Sequence, residues 1–151
     1  MSLNEEVELL RNIPLFANIE PSKLKLLAFT SERLVFLAGQ DLCAQGDMGD
    51  SAYIIIDGTA DVLIDTDDGV KSVTKVGKND VVGEIAILCD APRTATVRAI
   101  SDVTALCISK DLFFRLVKEF PQMAVEIMRK LATDLQRTTG QLSRALGRAG
   151  D

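Results

Sequence analysis

Between residues 33 and 108 the chain runs as short β-branched and apolar stretches broken by glycine-bearing turns, and from Ser109 onward the apolar spacing changes to threes and fours. That change of period constrains the fold more than any other feature. Strands are predicted over 33–38, 41–45, 51–57, 59–65, 70–76, 81–82, 94–100 and 103–108. Asp57-Gly58 and Asp67-Asp68-Gly69 lie between apolar runs and predict hairpins. Gly39, Gly46, Gly49, Gly58 and Gly69 are assigned to turns and to nothing else. Short strands at intervals of about 8–12 residues favour a sandwich or barrel.

Helical patterns flank this β region. Residues 3–11 form an amphipathic helix with acids early and Arg11 late, which suits the helix dipole. Pro14 stops it, and Ile13, Leu15 and Phe16 form an apolar knot. Glu20-Pro21-Ser22 starts a second helix that runs to about Thr30 and turns Leu24, Leu27 and Ala28 inward. Ser109 caps a helix to Glu119 that presents Leu112, Phe113, Leu116 and Val117. Pro121 opens a longer helix toward Leu146, about 39 Å at 1.5 Å per residue. Along it Met128, Leu131, Leu135, Thr138, Leu142 and Ala145 alternate in threes and fours, a coiled-coil-like seam. Pairing with a second copy of the chain is one reading of that seam; packing along the chain's own β region is the other. Gly140, which costs about 1 kcal/mol against alanine inside a helix, marks a flexible point.

Composition excludes several functions. The 151 residues suffice for one domain with its own core. No run of about 18 or more apolar residues is present, so no membrane helix is expected. The N-terminus is acidic and does not resemble a signal peptide. A net charge of −5 argues against nucleic-acid binding by this chain alone. With no histidine, His-based acid–base catalysis, Ser-His triads and most zinc or iron sites are removed, so neither enzymatic activity nor a metal is expected. Cys43, Cys89 and Cys107 lack metal-type spacing and read as reduced, buried thiols of a cytoplasmic protein.

The candidate site is the stretch 82–99, V-G-E-I-A-I-L-C-D-A-P-R-T-A-T-V-R-A. It reads as strand end, glycine, one helical turn, a bend at Asp90 and Pro92, Arg93, then strand. The first N–H groups of the turn, those of Ile85 and Ala86, have no partner inside it and attract an anion. Arg93 adds a planar, permanently charged fork suited to phosphate oxygens. Glu84 repels a phosphate but accepts from a neighbouring hydroxyl such as a ribose 2′-OH. The charges alone leave two readings open: a sugar-phosphate site, or a surface ion pair between Glu84 and Arg93 worth about 0–1 kcal/mol.

This stretch resembles the phosphate-binding cassette of the cyclic nucleotide-binding domain family, which reads F-G-E-[LI]-A-L, a short spacer, then P-R-[AST]-A-T-V-x-A. Gly83, Glu84, Ile85, Ala86, Pro92, Arg93, Thr94, Ala95, Thr96, Val97 and Ala99 match; Val82 stands where the family usually has an aromatic residue. The pattern I-P-L-F at 13–16 and the loop Q-G-D-x-G-D-S-A-Y at 45–53 are also similar to the family. The resemblance extends from about residue 13 to 142. It implies a mainly β fold with a helical cover: an eight-stranded jelly-roll (double-stranded β-helix) barrel flanked by N-terminal helices and a long C-terminal helix. The chain is then a single domain over 1–151, with an N-terminal helical segment at 1–32, a β-barrel at 33–108 and C-terminal helices at 109–147.

The resemblance also implies a function: a regulatory module that binds cyclic AMP, and cyclic GMP with incomplete discrimination, and that moves its C-terminal helix. Ile85, Ala86 and Arg93 are expected to hold the cyclic phosphate, with Thr94 and Ala95 adding contacts. Gly83 shapes the turn, Glu84 takes the ribose 2′-OH, and Val82 and Val97 wall the base. Thr94 bears on base choice, because relatives with threonine there often accept cyclic GMP. Spacing from Arg93 onward matches the bacterial catabolite activators of the family, which places Thr138 and Thr139 against adenine, one within the subunit and one across a dimer. Asp134 stands where those activators have an arginine. The cyclic nucleotide is a ligand, not a cofactor; expected partners are a second copy through the C-terminal helix and an effector of unknown kind. Two alternatives remain, the sensor half of a Crp-type transcription regulator and a dimerisation module without ligand.

Overall fold

The computed structural model describes residues 3–13, 16–17 and 19–150. Its strands form two antiparallel sheets. One has the order β1-β8-β3-β6, built from β1 (Glu32–Phe36), β3 (Ser51–Asp57), β6 (Val81–Val82) and β8 (Val103–Ser109). The other has the order β2-β7-β4-β5, built from β2 (Asp41–Cys43), β4 (Ala60–Thr66), β5 (Gly69–Val76) and β7 (Thr96–Ala99). Five helices accompany them among the described residues: α1 (Leu3–Arg11), α2 (Pro21–Thr30), α3 (Glu84–Cys89), α4 (Lys110–Glu119) and α5 (Pro121–Gly150). The expected closed barrel is corrected to two four-stranded sheets. The hydrogen-bond ladders end at β1 and β6 in one sheet and at β2 and β5 in the other, and no ladder joins these edges.

The first sheet is covered on both faces, and its sequence shows it. β3 reads S-A-Y-I-I-I-D, an almost unbroken apolar run of the kind found in strands without a solvent face. Ala52, Ile54 and Ile56 pack with Leu106 and Ile108 of β8 against Leu10, Leu24, Leu27, Phe113 and Met123 of the helices. Ile55 points the other way and joins Leu42, Ala60, Val82, Val97 and Ala105 between the sheets. The period of two thus divides one strand between two cores.

Most predicted elements are found within a residue or two. Leu24, Leu27 and Ala28 of α2 are buried as expected. The Ser109 side chain accepts from the Leu112 N–H and caps α4. Pro14 and Leu15, named above for a helix stop and an apolar knot, lie outside the described residues; Ile13 and Phe16 are both buried.

Three expectations are corrected. Asp57-Gly58 does not make a hairpin, because β3 and β4 belong to different sheets. Gly58 supplies the reversal, at φ 95°, but both edges of β3 are already taken by β6 and β8. By contrast, Asp67 and Asp68 do join a true hairpin, with Thr66 opposite Gly69. Cys89 is exposed while Cys43 and Cys107 are half-buried, and all three are free thiols. In α5, Met123 and Ile127 are buried and Leu131 packs on the core, so Leu131 leaves the expected seam. Met128, Leu135 and Leu142, seven residues apart, remain exposed along the outer face.

Candidate functional site

The site is built where β6 ends. Val81 and Val82 are buried, and the chain then turns at Gly83 in the left-handed region, φ 88°, before α3 begins. Asp90, at φ 49°, ends α3 with another left-handed residue, and the Ala91 N–H donates to the Ala86 carbonyl. The following segment is tied to the loop before β3: Arg93 N–H donates to Asp47 O at 2.7 Å, and Gly46 N–H donates to Arg93 O at 2.9 Å. These two backbone bonds fix where the Arg93 side chain enters.

That side chain is buried, 6% exposed. Its Nη2 donates to Ser51 O at 2.8 Å and its Nη1 to Gly83 O at 3.2 Å. The guanidinium also lies 5.8 Å from the centre of the Tyr53 ring, within cation–π range. Two of the five guanidinium donors are thereby accounted for by protein carbonyls, and the fork is held rigid.

Gly49 and Gly83 make room for it. A Cβ at Gly49 would overlap the Ala86 Cβ and approach Arg93 Cζ to 3.1 Å; one at Gly83 would overlap Arg93 Nη1. Gly49 does not have a left-handed backbone, so its assignment to a turn alone is corrected. It is glycine because α3 and Arg93 pass too close for a side chain.

Glu84, the first residue of α3, is 4% exposed. It does not pair with Arg93. Its Oε1 accepts from Lys130 Nζ on α5, and the same ammonium donates to Asp134 Oδ2 at 3.1 Å. Arg137 Nη2 stands 3.8 Å from the other Asp134 oxygen. A line of alternating charge therefore runs from the floor of the site up the inner face of α5. Burial pulls the Lys130 ammonium toward deprotonation, but the charge and hydrogen bond of Glu84, aided by Asp134, outweigh it and leave its pKa raised. A raised lysine pKa gives stability that is fully present below the ordinary lysine value and is lost only as pH rises beyond it. The Lys130 contribution is thus fully present across the neutral range. Burial also raises the Cys43 thiol pKa, opposed by the charge of Arg93.

Glu84 and Arg93 face one cavity of about 380 Å³. Of the residues named from sequence, Val82, Gly83, Glu84, Ile85, Ala86, Arg93, Thr94, Ala95, Val97 and Thr138 line it, and Thr139 does not. Thr139 is exposed on α5. The Thr138 hydroxyl donates to Asp134 O at 2.9 Å, which leaves its lone pairs as acceptors. The sequence reading missed Val62, Ile64 and Val73 of the β4–β5 hairpin, which form an apolar wall, and Lys130, Arg137 and Gln141 of α5. The i, i+4 spacing of Lys130 and Asp134 was the one available signal for the α5 contribution.

Residues 33–120 match the family described as "Cyclic nucleotide-binding domain", more than half of the chain. The chain belongs to the cyclic nucleotide-binding domain family. Among its relatives is the CRP-like cAMP-activated global transcriptional regulator of Mycobacterium tuberculosis, 30% identical over 137 residues. That match covers 90% of this chain and 61% of the regulator, so the domain spans under two thirds of that relative's length. A solved structure of the regulatory subunit of a cAMP-independent protein kinase A from Trypanosoma brucei is also similar: TM-score 0.75, 26% identity, 87% of this chain and 47% of that one. The Thermus thermophilus catabolite activator protein superposes with a TM-score of 0.77 over 86% of this chain and 62% of that one; at 23% identity it bears on the fold alone. Among the described residues no helix of the domain is long and apolar enough to cross a membrane.

Proposed function

We propose that the domain is a regulatory module that binds cyclic AMP, and cyclic GMP less selectively excluded than in a site with more base contacts, and that transmits occupancy through α5. One observation carries the reading: two buried, oppositely charged side chains that do not pair with each other face the same ligand-sized cavity. The free donors of Arg93, with the N–H groups of Ile85 and Ala86, take the cyclic phosphate, and Thr94 and Ala95 flank it. Glu84 accepts from the ribose 2′-OH. Val82 and Val97, with Val62 and Val73, wall the base. Thr138, its proton committed to Asp134, offers lone pairs to the amino edge of adenine. Thr139, outside this cavity, serves the base site of a second copy.

A melting-temperature screen tests this. Cyclic AMP at a hundred times its Kd should stabilise the domain by about 2.7 kcal/mol, cyclic GMP by less, and AMP and adenosine hardly at all. Adenosine is included because one relative is described as the regulatory subunit of a cAMP-independent kinase. Stabilisation by adenosine without stabilisation by cyclic AMP would assign the cavity to nucleosides instead.

α5 supplies the output. Lys130, Asp134, Arg137, Thr138 and Gln141 roof the cavity, so a bound base adds contacts that exist only while α5 is docked. The exposed Met128, Leu135 and Leu142 favour pairing of α5 with a second copy, and with the similarity to the Mycobacterium tuberculosis regulator they support a second reading, the sensor half of a Crp-type regulator. Amide exchange over residues 121–146 separates the two effects. Slowing on addition of cyclic AMP reports docking, slowing on raising the chain concentration reports pairing, and exchange that responds to neither refutes both.

A further inference from the structure

Arg93 and Glu84 are held in different ways. Arg93 is fixed by main-chain carbonyls of Ser51 and Gly83, by the glycine contacts around it and by Tyr53. Each of those lies in the β region or at the start of α3. Glu84 has its charge partner on α5, 46 residues away in sequence. A carboxylate buried to this extent is stable only when paired. Lys130 is itself fixed, between Glu84 on one side and Asp134, one helical turn along, on the other. The phosphate half of the site is therefore complete without α5, and the ribose half is not.

We propose that Lys130 is the positioning residue for the ribose acceptor: it neutralises and aims Glu84, so that recognition of the 2′-OH depends on α5 being docked. This rests on the reading of the cavity as a cyclic nucleotide site. One Glu84 oxygen takes the ammonium, and the carboxylate keeps further lone pairs for the hydroxyl. The 2′-OH alone carries no positive charge and cannot replace Lys130, so ligand and lysine share Glu84 rather than compete for it. The ribose thereby senses the position of the helix, while the phosphate does not. Lys130 is a third exposed at its side chain, so it is reachable by substitution without opening the core.

The test is calorimetric titration of the full chain with cyclic AMP and with 2′-deoxy cyclic AMP. The wild type should prefer cyclic AMP by about tenfold or more, since the deoxy ligand lacks the hydroxyl that bonds a charged group. Lys130→Met, which keeps the aliphatic stem, should reduce that preference to about threefold or less and leave the affinity for the deoxy ligand nearly unchanged. Lys130→Gln should do the same, and Lys130→Arg should retain the preference. Glu84→Gln should also abolish it, and adding Lys130→Met to Glu84→Gln should change nothing further, as for two residues acting through one contact. If Lys130→Met and Lys130→Gln weaken both ligands by the same factor, Lys130 merely pins the helix and the inference is overturned. A wild type that binds cyclic AMP and its deoxy form equally overturns the inference but leaves the proposed ligand class standing. A wild type that binds neither overturns both.

Discussion

Replacing Arg93 with alanine should lower the affinity for cyclic AMP by about tenfold or more in calorimetric titration, because the cavity loses its buried guanidinium. A charge-assisted bond to phosphate contributes about 1.5–3 kcal/mol, and one factor of ten corresponds to 1.4 kcal/mol. The effect does not stop at the ligand. The guanidinium bonds Ser51 O and Gly83 O, so alanine also leaves two carbonyls without their donor beside a new void. The substituted domain should melt at a lower temperature even without nucleotide. Arg93→Lys separates the contributions. It restores a positive charge, but an ammonium lacks the rigid fork that spans two carbonyls and a phosphate. Lysine should therefore recover part of the affinity and little of the unliganded stability. Alanine and wild type binding with equal affinity would remove Arg93 from the site altogether.

The legible parts of this domain are those in which one short stretch of chain makes its own structure. Gly83, Asp90, Pro92 and Arg93 lie within eleven residues, and Gly83 and Asp90 both take the left-handed backbone that bounds the short helix between them. The cassette was therefore readable, both from its residues and from its family resemblance. So were Ser109 as a cap and Asp67-Asp68-Gly69 as a hairpin, since hydrogen bonds within a few residues decide both. The features that escaped reading are set by neighbours distant in sequence. Asp57-Gly58 has ideal turn chemistry, yet strand pairing around it is decided by β6 and β8 having filled both edges of β3. Gly49 looks like any loop glycine until α3 and Arg93 are placed against it. A Glu84–Arg93 ion pair was a fair reading of two charges nine residues apart, and only the position of α5 shows that Lys130 takes Glu84 instead. The alternating seam along α5 was likewise a mixture: Leu131 turns to the core and Thr138 to the cavity, while Met128, Leu135 and Leu142 stay outside. A helix that serves a core, a cavity and an outer face at once carries three stripes, and a single period cannot separate them.

Gly83 is where local and distant constraints meet, and Gly83→Ala should show both. Its backbone, at φ 88°, costs a residue with a side chain about 1–2 kcal/mol, which for a domain of this size lowers the melting temperature by about 2–8 °C. Strain alone would leave the ligand site intact. The added Cβ, however, would overlap Arg93 Nη1, a nitrogen of the guanidinium itself, and approach Ser51 O, one of its two carbonyl acceptors, to 3.2 Å. Ser51 is held in β3 opposite Ser109 of β8, so the arginine rather than the Ser51 carbonyl is the group expected to yield. Cyclic AMP affinity should then fall about as far as in Arg93→Ala, although no group that touches the ligand has been removed. Gly140→Ala is the matched control: its Cβ would meet only Arg144 Nη1 at 3.8 Å, and the neighbouring residues of α5 are exposed. It should raise stability by up to about 1 kcal/mol and leave the affinity unchanged. A Gly83→Ala domain that melts lower but binds cyclic AMP like the wild type would show that the phosphate does not depend on where Gly83 lets Arg93 lie.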